Sequence, residues 1–248
     1  MSRTCFATVL AFLVTTPAAV SAQTAAGERW FVAVNGAYRV DASEFRDRVT
    51  FLASAEEGRF ESLYPGKSGP MTDIAGGIQI RPMLAVGLGV SHYHRSAPAT
   101  LVASVPHPFF FNQPRTVSGE VAGLTRDEVG IHVQARGVFP VNERLTISLF
   151  GGPSHFRVSQ DLVTDFAYAD AYPYDEATFR SAGTANGSQS AMGINAGADV
   201  AVFVTRRAGI GFSLQFARAN VELPSANGGT TRVQAGGVST GAGLRLRF

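Results

Sequence analysis

In eight segments of this chain apolar residues return at every second position, and that period commits most of it to half-exposed β-strands. Trp30, Val32, Val34, Gly36 and Tyr38 alternate with Phe31, Ala33, Asn35, Ala37 and Arg39. The same alternation runs through residues 73–81, 84–91, 128–136, 145–150, 194–204, 210–216 and 238–248. Beyond the amino-terminal segment, no apolar run is long enough for a helix to span a bilayer, so a membrane-embedded mature chain would cross with strands. Short connections at 81–83, 140–143 and 205–208 alternate with long ones, the rim asymmetry of an outer-membrane barrel. The expected fold is all-β: a single antiparallel up-and-down transmembrane β-barrel of eight strands. Residues 44–64 carry an alternation of their own, which extends the first hairpin or makes the barrel ten-stranded.

The amino terminus reads as an export signal. Arg3 provides the positive charge, residues 5–14 the apolar run, and Val20-Ser21-Ala22 the small residues before a cut between Ala22 and Gln23. Two domains are therefore expected, a signal peptide over 1–22 and the barrel over 23–248. Cleavage removes Arg3 and the sole cysteine, Cys5, so disulfide and thiol chemistry are absent from the expected mature chain. The formal net charge of the whole chain is only +2, which argues against a nucleic-acid partner.

The two faces of each strand separate a membrane barrel from a soluble lipocalin-like carrier. In the carrier, the set opposite the apolar one must meet water. Here that set is Ala85-Gly87-Gly89-Ser91 or Ser239-Gly241-Gly243, small residues suited to a crowded lumen. The charges on the same face, Arg39, Asp73, Glu128, Arg136, Asp199, Arg245 and Arg247, with His132 beside them, are expected to form a polar lumen network. Buried charges persist only when paired. Trp30, Phe139 and Phe248 fall near one membrane edge and Tyr38 near the other, as interfacial aromatics do.

The last strand ends Gly243-Leu244-Arg245-Leu246-Arg247-Phe248. Its terminal aromatic, with Leu244 and Leu246 at every second position before it, resembles the assembly signal of bacterial outer-membrane proteins. The layout over 29–248 resembles the OmpA/OmpX-type small outer-membrane barrels, as a barrel without a following peptidoglycan-binding domain. That resemblance implies an integral protein of the bacterial outer membrane, reached through the periplasm. Its implied partners are outer-membrane lipid, lipopolysaccharide and, during biogenesis, the barrel-assembly machinery.

Signs of chemistry are sparse. His94-x-Ser96 resembles the His-x-Ser-Asn motif of PagL-type lipid A deacylases, but Ala97 stands in place of the asparagine and no carboxylate follows closely. His92 and His94 share a strand face without a visible third metal ligand. The pairs Glu56-Glu57, Asp127-Glu128 and Asp175-Glu176 put neighbouring carboxylates on opposite faces or in loops. No catalytic residue, cofactor or metal is expected. Aromatics gather instead in two loops, at 105–111 and 165–174. The expected function is a structural or surface-contact outer-membrane barrel with long extracellular loops. The rival readings are a lipid A-modifying enzyme, a small pore and the soluble carrier.

Overall fold

The alternating segments become strands in the computed structural model, which describes residues 29–40, 43–66, 68–226 and 228–248. The export signal with Ala22 and Gln23 lies outside the described residues. The strands are β1 (Trp30–Arg39), β2 (Phe45–Ala53), β3 (Glu56–Tyr64), β4 (Gly69–Arg81), β5 (Leu84–Val105), β6 (Arg115–Pro140), β7 (Leu145–Asp170), β8 (Ala177–Phe203), β9 (Ala208–Pro224) and β10 (Thr230–Arg247). All but β2 and β3 close into an antiparallel ring in chain order, with β1 bonded to both β4 and β10. At the seam Val34 faces Leu244 and Val32 faces Leu246. Trp30 N–H donates to the Phe248 carbonyl at 3.0 Å, and Phe248 N–H donates back to Trp30 at 2.9 Å. Closure joins the first strand to the last, so the lipid-facing part of the ring has no free edge strand, the condition for strands in lipid.

The segment at 44–64 is a separate hairpin, β2–β3, that joins the sheet without entering the ring. Leu63 pairs with Thr100 and Arg59 with Ser104, high on β5. Strand β4 holds the lower part of β5, up to the Met71–Tyr93 pair. One strand thus takes over from the other along β5. Between them, residues 94–99 have no strand neighbour on that side among the described residues.

The strands outrun the sequence expectation. β6 and β7 have 26 residues each and β8 has 27. At about 3.3 Å per residue such a strand reaches roughly 85 Å, far beyond a hydrocarbon core of about 30 Å. The segments read as long loops are mostly strand, and β9 shows why they escaped notice. Ile210, Phe212, Leu214 and Phe216 face outwards, and the outward positions then become Arg218, Asn220 and Glu222. On the inward face, Gly211, Ser213 and Gln215 give way to Ala217, Ala219, Val221 and Leu223. The side-chain phase never changes; the polarity of the two faces exchanges.

Above that exchange the protein has an ordinary hydrophobic interior. Phe60, Leu101, Val117, Phe156, Val158, Leu223 and Val233 belong to one buried cluster. Each such side chain contributes roughly 1.5–3 kcal/mol on leaving water. Gly123 marks the adjustment on β6. Its φ of +79° makes a bulge opposite Pro98, and inward positions pass from Val121 to Leu124 across it. A β-carbon there would meet no atom within 4 Å, so backbone conformation rather than space favours glycine.

Strands β6 and β7 separate above the Arg126–Gln160 pair, and Asp161 sits at the fork. It accepts from Thr125 N–H at 2.9 Å, from the Thr125 hydroxyl at 2.5 Å and from Asn186 Nδ2 at 2.8 Å. Burial works against ionisation, but these hydrogen bonds outweigh it and hold the carboxyl below the usual aspartate range. A depressed folded pKa means the stabilisation is present above the unfolded pKa and is lost as pH falls through the folded one. The Thr125 amide protection factor should therefore drop as pH falls below the ordinary value of 3.8. In Asp161→Asn that acid-dependent step should vanish; an unchanged step would assign it to another group.

Candidate functional site

The lumen of the membrane half is filled in three tiers. In the lowest, Arg245 of β10 binds Asp199 of β8 through Nε, at 3.0 Å to Oδ2, and through Nη2. Its Nη1 donates to Asn35 Oδ1 at 2.7 Å, and Asn35 Nδ2 passes the connection to Asp73 at 3.0 Å. Arg136 lies 4.8 Å from the rings of both Phe31 and Phe150, a cation–π sandwich replacing a carboxylate partner. The middle tier is neutral in composition apart from His132, which is fully buried. Its Nε2 is 2.9 Å from Ser91 Oγ, and its Nδ1 is 2.8 Å from Ser154 Oγ. Asn195 Nδ2 donates to Ser154 and to the Gly152 carbonyl, where Pro153 interrupts the β6–β7 ladder.

Glu128 organises the upper tier. Arg39 Nη1 lies 2.9 Å from Oε2 and Arg126 Nη2 2.7 Å from Oε1, with the carboxylate 2 % exposed. Gly236 N–H donates to Oε2 at 3.0 Å. Its φ of +89° turns that amide into the lumen, and a β-carbon there would stand 2.2 Å from the Ala217 carbonyl. Arg39 also lies 4.0 Å over the Tyr93 ring.

Of the residues singled out from sequence, Arg39, Asp73, Glu128, Arg136, Asp199 and Arg245 all face the lumen and fall into two clusters. His132 joins the hydroxyl chain between them. Arg247 sits lower, at the periplasmic rim, 4.1 Å over the Phe203 ring and bonded to the Arg206 carbonyl. Leu244 and Phe248 face outwards and are exposed. Arg81 is exposed at the rim.

Ser91 and His132 look like a nucleophile and its base, but the other imidazole nitrogen goes to Ser154 and no carboxylate orients the ring. Buried among side chains, the pair is closed to substrate. The outward pair differs. His94 Nδ1 is 2.7 Å from Asp127 Oδ1, a partner that sequence spacing hid because it comes from the next strand. The Ser96 hydroxyl makes no hydrogen bond to this histidine. Among the described residues, no three His, Cys, Asp or Glu side chains are placed to hold a metal ion.

Sequence reading missed the gap beside residues 94–99. It opens on a small cavity of about 30 Å³, lined by Arg39, Arg95 and Arg126 together with Tyr64 and Tyr93. Gly69 forms one lip, where a β-carbon would stand 3.3 Å from Tyr93 and 3.4 Å from Arg95. Burial pushes the Tyr64 phenol up to about 12, so it stays protonated.

The outermost feature is an aromatic crown. Phe109, Phe110, Phe111 and Tyr172 are exposed, between 55 % and 87 %. Beneath them Arg115 fastens the two loops together, 2.7 Å from Asp170 and bonded to the carbonyls of Pro106 and Tyr174. Buried His107 accepts the amides of Phe109 and Phe110 on Nδ1, at 3.1 Å each.

A closed ring with an apolar outer band, a polar filled lumen and strands prolonged on one side has the fold of the small integral β-barrels of bacterial outer membranes. Among solved structures, the chain is similar to the outer membrane protein OprG from Pseudomonas aeruginosa. The TM-score is 0.53 at 9 % identity, covering 89 % of this chain and 96 % of that one. It is also similar to Neisserial surface protein A, with TM-score 0.44 at 13 % identity, covering 88 % of this chain and 97 % of that one. The outer membrane protease OmpT from Escherichia coli gives TM-score 0.49 at 9 % identity, covering 89 % and 97 %. No protein-family model and no curated protein sequence matches this chain.

Proposed function

We propose that the chain is a non-enzymatic, non-conducting outer-membrane anchor that holds an ordered extracellular module for contact at the cell surface. The exchange of polarity along single strands carries this reading. Below the exchange, the outward face suits lipid and the lumen is filled; above it, the same strands build a water-facing body with a hydrophobic core. Exposed aromatics at the tip of an ordered body favour recognition. The lower end contacts outer-membrane lipid, and the outer rim stands among lipopolysaccharide headgroups.

The test replaces Phe109, Phe110, Phe111 and Tyr172 with serine in a surface-displayed, correctly folded chain. Attachment of these cells to abiotic or host-cell surfaces should fall severalfold. Equal attachment by the two strains would overturn the contact role. Planar-bilayer recordings on the purified protein should give no stable conductance, because side chains fill an eight-stranded lumen; reproducible open-channel steps would favour the pore instead.

A further inference from the structure

We propose that the gap beside residues 94–99 is a lateral binding site for a phosphate group, entered from the membrane surface just above the lipid-facing band. It is separate from the aromatic crown and does not depend on it.

Charge is the first argument. Arg39, Arg95 and Arg126 line one cavity, and among the described residues Glu128 is the carboxylate paired with the first and last of them. Three guanidinium charges against one carboxylate leave two positive charges uncompensated among the described side chains. Glu128 is already engaged by two arginines and an amide. Among the described residues, Arg95 has no ion-pair or hydrogen-bond partner.

Donor supply is the second argument. Each guanidinium offers five N–H groups. Arg39 uses Nη1 on Glu128, and Arg126 uses Nε and Nη2 on Glu128 and the Gln234 carbonyl. Their remaining nitrogens are not among the sealed, partnerless atoms, whereas Arg115 Nε and Arg136 Nε are. They therefore stay reachable through the cavity. Planar forks of this kind match the oxygens of a phosphate, and partial burial strengthens the attraction relative to water.

Position is the third argument. The gap starts where β4 stops pairing with β5 at Tyr93, directly above outward-facing Ile74 and Val90. Outward positions on β5 turn polar at His92, His94 and Ser96. This is the level of the phosphorylated headgroups in an outer leaflet. The filled tiers below seal the lumen, so the ligand arrives sideways. A phosphate on a lipid headgroup and a free phosphate ion present the same chemistry here.

The test uses the folded, full-length mature chain in nanodiscs, with native mass spectrometry and phosphorus NMR as readouts. Diphosphorylated lipid A, its dephosphorylated counterpart and inorganic phosphate serve as probes. The wild type should retain the phosphorylated lipid over the dephosphorylated one. Arg95→Gln should weaken that retention about tenfold, as loss of a charge-assisted contact does. Arg180→Gln, on the exposed outer arm of β8, should leave it unchanged. Heat-modifiable mobility checks that each variant is folded, and displacement of the lipid by sulfate gives a readout on the wild type alone. Arg95-dependent binding of lipid only assigns the site to a headgroup, and the same dependence for inorganic phosphate extends it to free anions. Binding of neither probe, or binding indifferent to Arg95, overturns the proposal while leaving the crown's role intact.

Discussion

Glu128→Ala should lower the stability of the folded barrel by about 3–5 kcal/mol, among the largest losses expected from one substitution. The cause is the company that Glu128 keeps rather than the strength of one bond. Removing it leaves Arg39 and Arg126 facing each other in the upper tier and strands the inward-turned Gly236 amide. Glu128→Gln should fall between wild type and alanine, since an amide oxygen still accepts from Gly236. Replacing Arg39, Glu128 and Arg126 together with methionine should recover much of the loss, because no unpaired charge remains. Denaturant unfolding in detergent micelles, followed by tryptophan fluorescence and gel mobility, measures all three. An alanine variant as stable as wild type would mean that water enters this tier and solvates the arginines.

Leu101→Asp should separate the two halves of the molecule. Leu101 is fully buried in the extracellular cluster, where a carboxylate finds no partner and costs several kcal/mol. The outer arms of β5 to β8 should become open to added protease, while the membrane ring keeps its heat-modifiable mobility. That outcome follows if the apolar core and the polar lumen stabilise different parts of the same strands. Loss of the ring together with the arms would show that one cooperative unit spans both.

Much of the ring is legible in the sequence, because lipid imposes a simple pattern. Val90, Ile131 and Leu214 had to face outwards, and Ser91, His132 and Gln215 inwards. The arms were harder to read for a specific reason. In residues 217–223 the alternation continues, but its apolar members point into a core, so a search for lipid-facing residues halts at Phe216. In β8, residues 178–190 are mostly exposed on both faces and rich in Ser, Thr, Gly and Asn, so no period marks them. The hairpin at 44–64 was visible as alternation, whereas its place on β5 depends on pairing with residues 100–104, which no local pattern encodes.

The site was legible only as a list. Charges on the lumen face could be assigned, but not which would meet. Arg39 and Glu128 are 89 positions apart and Asn35 and Arg245 are 210 apart, and ring closure alone brings them together. The cavity beside Arg95 left no trace in sequence, because it comes from two strands ending short of each other.

That β5 to β8 run unbroken from the periplasmic rim into the outer body has a mechanical consequence. There is no neck and no linker between the crown and the bilayer, and each outer arm carries the hydrogen-bonded ladder of its hairpin. A pull on the aromatic tip is carried into the membrane wall as a lever, tilting the whole barrel instead of bending at a hinge. Whatever the tip touches therefore meets it at one fixed angle and height, and feels the stiffness of the membrane behind it.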